Sequence, residues 1–253
     1  MKLSVITVNR NNANGLEKTI QSVVCQKFTD YEYIIIDGNS TDGSIDIIKK
    51  YANSVHYWMS ESDNGIFHAM NKGISHAKGE YVIFMNSGDR FYDGEVLLKV
   101  FSKEQTGDLL AGNVIFDKKI KEKKILPQKI TFYFFMTDTI PHQGCFIRRT
   151  LFDEIGLYNE QIAVSSDWIF FLLAVVKYQK SLTILNEYIA LREPNGIASS
   201  LESYRCHKLI QKETIEKYFP YLYDDYCELH RLKRFSFHRL KQFVKGWFLR
   251  KIF

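Results

Sequence analysis

The sequence has no long apolar segment, and it is poor in cysteine and proline, with four of each among 253 residues. No stretch approaches the roughly 20 consecutive apolar residues that a transmembrane helix needs, so we expect no such helix. The segment Met1–Ile6 does not have the architecture of a signal peptide and leads straight into a strand. The cysteines are far apart and show no zinc-binding spacing, so we expect reduced thiols in the core of a cytosolic protein, with a reactive thiol as the alternative. They are Cys25, Cys145, Cys206 and Cys227.

Positive charge is concentrated at the C-terminus. The net charge is +5, but segment 229–253 carries eight basic residues and no acidic one, which leaves −3 for the rest of the chain. A strongly basic segment on a slightly acidic protein predicts an anionic partner. Nucleic acid is a poor candidate for that partner, because the rest of the chain offers no continuous basic surface.

Apolar side chains recur at helical spacing within this basic segment, and the basic residues lie largely off the apolar face. The apolar residues are Leu240, Phe243, Val244, Trp247 and Phe248. The pattern is typical of an amphipathic helix on a membrane surface, where each basic residue near anionic lipid contributes about 1 kcal/mol. We therefore predict that residues 229–253 bind the inner face of the cell membrane. The alternative is a helix that packs on the body of the protein or on a second subunit.

Apolar strands alternate with helices in the first 89 residues. Predicted strands 3–8, 31–36, 55–59 and 81–85 are separated by one helix each, the first over 14–26. This alternation predicts right-handed crossovers and a parallel sheet. The strands end in polar residues that would meet at one edge of the sheet, where doubly wound folds bind nucleotides. Those residues are Asn9, Asp37, Asp63 and Asp89.

Two common phosphate-binding motifs are missing. No Gly-x-Gly-x-x-Gly follows the first strand, which argues against a dinucleotide-dependent dehydrogenase, and no Walker-type Gly-Lys-Ser/Thr loop occurs, which argues against a P-loop protein. Instead, the fourth strand ends in Asn86-Ser87-Gly88-Asp89. A buried strand that ends in a carboxylate and turn-forming residues predicts the floor of an active site, with an ordinary turn as the alternative.

The pattern beyond Asp89 is less regular. We predict helix 96–101, strand 108–116, a lysine-rich hairpin or loop over 117–129, strand 143–148, helix 168–178, strand 182–191, a polar loop over 192–200 and helix 201–218. The predicted fold class is therefore α/β, with a Rossmann-like, mostly parallel central sheet flanked by helices. We expect a main domain over 1–200 and a helical C-terminal extension over 201–253.

A series of short motifs resembles those of the inverting glycosyltransferases of family 2, which have the GT-A fold. The motifs are Ser4–Asn9, Ile36–Gly43, Glu61–Ile66, Ala69–Gly73, Ala77–Glu80, Met85–Asp89, Pro141–Gly144 and Ser166–Trp168. They cover about residues 3 to 200, and their order and spacing are specific although each motif alone is weak. The chain looks most similar to bacterial enzymes that build O-antigen, capsule or exopolysaccharide repeat units, which would make residues 1–200 the nucleotide-sugar transferase domain.

The resemblance implies which residues bind the sugar nucleotide. Asp37 would accept a hydrogen bond from the imide N–H of a uracil base, with a turn cap as its alternative role. The residues implied for the nucleotide are Thr7, Val8, Asn9, Asp37, Asp63, Asn86 and Ser87. The residues implied for the diphosphate and acceptor side are His142, Gln143 and Arg192, although a lone histidine is also often structural.

A metal ligand and a catalytic base are implied as well. Asp89 would coordinate a divalent cation, Mn²⁺ or Mg²⁺, on the diphosphate. Asn86 and Gly88 stand where the family is often acidic, so metal binding is expected to be weaker, to depend on substrate phosphates and water, or to be absent. Asp167 matches the general base that removes the proton of the acceptor hydroxyl in a single, inverting displacement, with a helix cap as the alternative.

From these features we predict an inverting glycosyltransferase of bacterial surface polysaccharide synthesis. It would move a sugar from a nucleotide-sugar donor, with UDP-sugars favoured, to a lipid-linked or growing saccharide. The enzyme would be cytoplasmic and peripheral on the cell membrane, and self-association is left open. A non-catalytic nucleotide-binding scaffold is one alternative. A sugar nucleotidyltransferase is another, but it needs a glycine-rich basic loop, and residues 9–15 contain one arginine and one glycine.

Overall fold

The computed structural model describes residues 1–117, 122–193 and 200–233. Two compact units make up the chain, Met1–Tyr204 and the part that begins at Arg205. This division lies close to the predicted one between residues 200 and 201. Residues 234–253 of the predicted membrane helix lie outside the described residues, as do parts of the predicted loops 117–129 and 192–200.

The first half of the main unit is the predicted alternation of strands and helices. In chain order it contains β1 Leu3–Asn9, α1 Ala13–Val24, β2 Tyr31–Asp37, α2 Ser44–Lys50, β3 Tyr57–Ser60, α3 Ile66–His76 and β4 Tyr81–Phe84. The strands lie in the order β3-β2-β1-β4 and all three pairings are parallel. The four predicted strands and their parallel arrangement are therefore confirmed.

The centre of this half is β1, whose seven residues are all buried. Val5 and Ile6 point to opposite faces of the strand and are both fully buried, which fits a strand that is covered on both faces. Leu16 and Ile20 of α1 pack in the core cluster that covers one face of the sheet. On the other face, α3 approaches so closely that a Cβ atom on Gly73 would collide with Ile6. The polar ends of the four strands thereby lie at one edge of a sheet whose central strand, β1, is covered on both faces.

The second half of the main unit continues the same sheet. It contains β5 Arg90–Phe91, α4 Val96–Phe101, β6 Leu109–Phe116, β7 Glu122–Lys124, α5 Phe132–Thr137, β8 Cys145–Arg148, α6 Leu151–Glu154, α7 Ser166–Leu172 and β9 Leu182–Arg192. The sheet order is β3-β2-β1-β4-β8-β6-β9-β5, with β7 beside β6. Here β8 runs antiparallel to both β4 and β6, while β9 is parallel to β6. The α/β class is confirmed, and the parallel half is extended by a mixed one.

The predicted helix over 201–218 is confirmed as α8, Leu201–Tyr218. Residues 223–233 are helical as well. No helix in the part of the chain that the structure describes is both long enough and apolar enough to cross a membrane.

Candidate active site

A buried carboxylate joins the ends of the first three strands. The register places Asn9 opposite Asp37 and Asp37 opposite Ser60. The Asp37 carboxylate accepts hydrogen bonds from Asn9 Nδ2 at 2.7 Å, from Ser60 Oγ at 2.7 Å, and from the N–H and hydroxyl of Ser40 at 2.9 and 2.6 Å. Because Asp37 is fully buried and has four donors of its own chain, it fixes the positions of its neighbours.

Thr7 also lies beneath the strand ends. It is fully buried, and its hydroxyl donates to the carbonyl oxygen of Met85 at 2.7 Å and lies 3.0 Å from the hydroxyl of Tyr33. This bond ties β1 to the residue that follows β4. Thr7 and Asp37, both predicted to contact a nucleotide, thus lie behind the surface on which a ligand would rest and support it from below.

A cleft of about 460 Å³ opens above these strand ends. Ten of the twelve predicted site residues line it, and Thr7 and Asp37 do not. The ten are Val8, Asn9, Asp63, Asn86, Ser87, Asp89, His142, Gln143, Asp167 and Arg192. Side chains that are far apart in the sequence therefore meet in one cavity, as the sheet topology requires.

The end of the cleft near β2 is shaped by a glycine. Asp63 lies so close to Gly38 that a Cβ atom there would collide with its carboxylate. The same carboxylate accepts the N–H of Gly65 at 2.9 Å and lies 3.7 Å from a guanidinium nitrogen of Arg10. Arg10 is largely exposed, so a planar, positively charged group stands at the rim of the cleft.

Asp89 lies at the centre of the cleft floor. Its two carboxylate oxygens accept the Gln143 amide at 3.0 Å and the backbone N–H of Glu193 at 2.9 Å. Burial raises the pKa of Asp89 above its ordinary range, although the His142 ring and the two hydrogen bonds act in the opposite direction. A buried carboxylate whose ionised form is costly gains from a cation placed beside it.

Glu193 is a cleft residue that the sequence did not reveal. Its carboxylate lies directly over Gly88, which has a φ of +101°, so a Cβ at that position would collide with it. A second acid therefore lies over the residue that precedes Asp89, although it comes from the position after β9. Sequence motifs show acids that are neighbours along the chain, and this one is 104 positions away.

The residues present fit a cation that arrives with a diphosphate. Among the described residues no group of three His, Cys, Asp or Glu side chains is placed to hold a metal ion. Asp89 and Glu193 supply two carboxylates, and Mg²⁺ commonly binds one or two carboxylates and completes its shell with substrate phosphates and water. Together these two residues would hold the ion.

Asp167 enters the cleft from the first turn of α7. Ser165, with a φ of 75°, precedes the helix, so Asp167 lies inside the helix and is not its cap. Its oxygens accept the N–H of Trp168 at 2.9 Å and the Nδ1 proton of His142 at 3.0 Å. Burial raises the pKa of Asp167, but the hydrogen bond and charge of His142 outweigh it, so the pKa is lowered and the carboxylate stays ionised.

His142 links Asp167 to the fourth strand. Its Nε2 lies 3.3 Å from Nδ2 of Asn86, the first residue of the predicted floor motif. The other amide atom, Asn86 Oδ1, is buried and has no hydrogen-bond partner among the residues that the structure describes. A buried acceptor without a donor is costly, so a ligand or water is expected to satisfy it.

Arg192 completes the far wall at the end of β9. Its guanidinium lies over the ring of Phe116, 5.1 Å from the ring centroid. Its charge helps to lower the pKa of Asp167 and opposes the rise that burial causes in the pKa of Asp89. A guanidinium fixed on the wall of the cleft is a group suited to pairing with an anionic group such as a diphosphate.

The sequence profile described as Glycosyl transferase family 2 matches residues 4–156, which is more than half of the chain. The chain belongs to this family. A PGL/p-HBAD biosynthesis glycosyltransferase from Mycobacterium bovis is 30% identical over 180 residues, which cover 66% of this chain and 67% of that protein. The chain is therefore a glycosyltransferase, as predicted.

Two solved structures show the same fold at low sequence identity. Staphylococcus aureus TarS 1-349, in complex with UDP-GlcNAc, matches with a TM-score of 0.68 and 19% identity over 87% of this chain and 68% of that chain. The mannosyltransferase PcManGT from Pyrobaculum calidifontis, in complex with GDP-Man and Mn²⁺, matches with a TM-score of 0.62 and 15% identity over 83% of this chain and 62% of that chain. This likeness confirms the predicted GT-A fold.

Proposed function

We propose that this family 2 glycosyltransferase transfers a sugar from a UDP-sugar to a saccharide or lipid-linked acceptor in a single, inverting displacement. The observation that carries the proposal is that two carboxylates in different environments line one cleft. Asp89 lies on the floor and is destabilised by burial in its ionised form, whereas Asp167 lies on the wall and is held ionised by His142. The carboxylate of Asp89 is suited to a position near the bound diphosphate. The carboxylate of Asp167 is suited to a position near the acceptor hydroxyl, which must lose its proton.

A nucleotide at the strand ends would meet a surface that is fixed before it arrives. Asp37 holds the Asn9 amide by a 2.7 Å hydrogen bond, and Thr7 holds the carbonyl of Met85. Val8, Asn9 and Asp63 line this end of the cleft and are assigned to the nucleobase and ribose. The preference for uracil is supported by TarS, a structural neighbour that was crystallised with UDP-GlcNAc.

The diphosphate is assigned to the centre of the cleft, between Asp89 and Arg192. We propose that a divalent cation accompanies it and is held by Asp89 and Glu193; the Mn²⁺ complex of PcManGT supports this. When bound, such an ion stabilises the negative charge that develops on the departing nucleoside diphosphate. Arg192, which is fixed on Phe116, would neutralise the remaining phosphate charge.

The removal of the proton from the acceptor hydroxyl is assigned to Asp167, together with its hydrogen-bonded partner His142. Removal of the hydroxyl proton by a positioned base contributes about 10² to 10⁴ in rate. A lipid-linked acceptor at the cytoplasmic membrane surface is supported by the basic, amphipathic sequence of residues 229–253. It is also supported by the M. bovis relative, which is named for PGL/p-HBAD biosynthesis.

A nucleotide panel tests the donor site. We expect UDP, compared with GDP, dTDP and CMP, to raise the melting temperature most, and Mn²⁺ to increase the shift, because ligands stabilise the state that they bind. Asp167→Asn should bind UDP as the wild type does but lose sugar transfer. A folded protein that responds to none of the four nucleotides would refute the proposal. UDP binding with unchanged transfer in Asp167→Asn would keep the donor site and remove Asp167 from the reaction.

A further inference from the structure

One wall of the cleft is apolar and has no role in the assignments made so far. It consists of Ile66 and Met70 from α3 and of Ala163 and Val164 from the segment before α7. We call these four residues the apolar strip. Ala163 is exposed and Ile66 is half-buried, whereas Met70 and Val164 are almost fully buried. The surface that a ligand could touch therefore belongs mainly to Ile66 and Ala163.

The two elements that carry the strip are packed against each other. The ring centroid of Phe67, which follows the first strip residue of α3, lies 5.6 Å from that of Tyr158. One turn further along α3, the Asn71 amide donates to a carboxylate oxygen of Glu160 at 2.8 Å. Tyr158 and Glu160 belong to the segment that leads to Ala163, so ring packing and a hydrogen bond connect the two parts of the strip.

The strip extends from the nucleotide end of the cleft to Asp167. Ile66 follows Asp63 by three positions, and Val164 precedes Asp167 by three positions. The nucleobase, the ribose and the diphosphate already have polar partners in the proposed function, whereas the acceptor has only Asp167 and His142. Because Val164 lies just before the helix whose first turn carries Asp167, the strip borders the position proposed for the acceptor hydroxyl.

Hydrocarbon is the kind of ligand group that fits this surface best. A sugar hydroxyl or a phosphate placed against carbon atoms loses hydrogen bonds to water and gains none in return. A methylene group that leaves water for an apolar surface gains about fourfold in affinity when it is fully buried. The strip therefore favours an acceptor with an apolar group close to its reacting sugar.

We propose that the apolar strip binds a hydrocarbon aglycone of the acceptor, beside the hydroxyl that Asp167 deprotonates. The acceptor would then be a glycoside whose apolar group is attached directly to the accepting sugar, and not a long saccharide. This inference rests on the proposed function, because it chooses between the saccharide and the lipid-linked acceptor of the same displacement.

The first test measures binding and does not require turnover. Methyl, butyl, hexyl and octyl β-glucosides, each below its micelle concentration, are titrated into the full chain saturated with UDP and Mn²⁺, and ligand-observed NMR gives the dissociation constants. We expect the affinity to rise about two- to fourfold for each methylene that contacts the strip, so octyl glucoside should bind at least tenfold more tightly than methyl glucoside. Equal affinities for the two would overturn the proposal.

A neutral polar substitution locates the bound hydrocarbon. Ala163→Asn puts an amide that needs water on the exposed part of the strip, so the ratio of octyl to methyl affinity should fall at least about threefold. Ala52→Asn is the control, because Ala52 is also exposed but does not line the cleft, and it should keep the wild-type ratio. An unchanged ratio in Ala163→Asn would place the hydrocarbon elsewhere, for example on residues 229–253, and would overturn the proposal.

The affinity for UDP separates the acceptor from the nucleobase as the occupant of the strip. Ile66 is the strip residue closest in sequence to Asp63. Isothermal titration of Ile66→Asn should give a dissociation constant for UDP near that of the wild type, together with a weakened preference for octyl glucoside. A tenfold loss of UDP affinity in this variant would assign the strip to the nucleobase and contradict the proposal.

The rate of UDP release tests whether the hydrocarbon lies beside Asp167. The donors are UDP-glucose, UDP-galactose, UDP-GlcNAc and UDP-GalNAc, with water as the acceptor. Octyl glucoside bound beside Asp167 either accepts the sugar or excludes water, so the rate should change at concentrations near its dissociation constant, and a constant rate at saturation would overturn the inference. If the folded protein binds no nucleotide, the proposed function fails and this inference with it, whereas UDP binding without any preference for longer chains removes this inference alone.

Discussion

The side-chain amide of Asn71 binds both backbone polar groups of Tyr158, with Nδ2 2.9 Å from the carbonyl oxygen and Oδ1 3.1 Å from the backbone nitrogen. Asn71 lies on α3, and Tyr158 begins the segment that leads to α7. Eight residues later the Ser166 hydroxyl accepts the N–H of Asn159 at 2.6 Å. Asn71 thus fixes the start of the segment that delivers Asp167 to the cleft.

Asn71→Ala should destabilise the main unit by about 3 kcal/mol, because two backbone groups at a buried position lose their partners at about 1 to 3 kcal/mol each. Urea unfolding followed by circular dichroism measures this loss. Ser75→Ala on the exposed side of the same helix is the control and should change stability by less than about 0.5 kcal/mol. A similar, small effect of both substitutions would show that the loop does not depend on Asn71.

Gly88→Ala is expected to impair nucleotide binding as well as stability. Gly88 has a φ of +101°, and its added Cβ would collide with the carboxylate of Glu193. Gly43→Ala is a matched control, because Gly43 has a φ of +91° but open space where the Cβ would go. Both variants should lose about 1 kcal/mol to backbone strain, whereas only Gly88→Ala should also weaken UDP binding, measured by calorimetry.

Removal of Glu193 separates the two effects of Gly88→Ala. In the double variant with Glu193→Ala the collision with the carboxylate is absent and only a 3.2 Å contact with the remaining Cβ is left, so the stability losses should not add, and the difference gives the coupling between the two positions. Strictly additive losses would mean that Glu193 moves away from Gly88 at no cost.

Arg192→Ala should weaken binding of UDP at least tenfold and leave binding of uridine nearly unchanged. The reason is that the guanidinium, held on Phe116, is placed for a phosphate and not for a base. Arg192→Lys keeps the charge but loses the planar group, so we expect an intermediate affinity. Isothermal titration of both ligands measures the effect. Equal losses for uridine and UDP would place Arg192 at the nucleobase instead.

The pH dependence of stability should reveal the ion pairs of Glu80. Partial burial raises the pKa of Glu80, but hydrogen bonds from Lys2 at 2.6 Å and Arg148 at 2.8 Å outweigh it and lower the pKa. A lowered pKa contributes stability above the unfolded value of about 4.3, and this is lost as pH falls through the folded value. Glu80→Gln should therefore be less stable than wild type at pH 7, by at most about 1 kcal/mol, since Glu80 is 37% exposed.

Melting temperatures from pH 7 down to pH 3 measure this difference, which should shrink towards zero at the acidic end. Glu104→Gln, at an exposed position, is the control. A difference between wild type and Glu80→Gln that stays constant over the range would mean that the two ion pairs do not contribute.

The first half of the fold could be predicted because its strands and helices are determined by patterns of residues that are close together in the sequence. An unbroken run such as Tyr81–Phe84 can be buried on both faces only in a covered sheet, and helical spacing identifies α1 between two such runs. The second half contains short elements that carry no such pattern. Arg90 and Phe91 form a strand only because β9 returns beside them, and this pairing joins residues about 100 positions apart.

The predicted site residues lie where the sheet edge requires, but their exact contacts depend on details that the sequence does not contain. Thr7 and Asn9 are both buried at the end of β1, so apolar alternation gives no indication of which side chain reaches the cleft. Asp37 is found behind the cleft because three hydroxyl- or amide-bearing neighbours surround it. Glu193 approaches Gly88 only through the return of β9, which no local motif encodes.

The hydrogen bond from Glu193 N–H to Asp89 Oδ1 spans 104 positions of the chain. Ribosomes add about 5 to 20 residues per second, so Asp89 is synthesised roughly 5 to 20 seconds before its partner. For about the first half of that interval the Asp89 carboxylate has neither Gln143 nor Glu193 as a donor, and it lacks Glu193 until the interval ends, so it stays hydrated at an incomplete edge of the sheet. Nascent chains that stop before β9 would therefore have a hydrated, incompletely packed sheet edge at the end of β4. The cleft would then be completed late in synthesis.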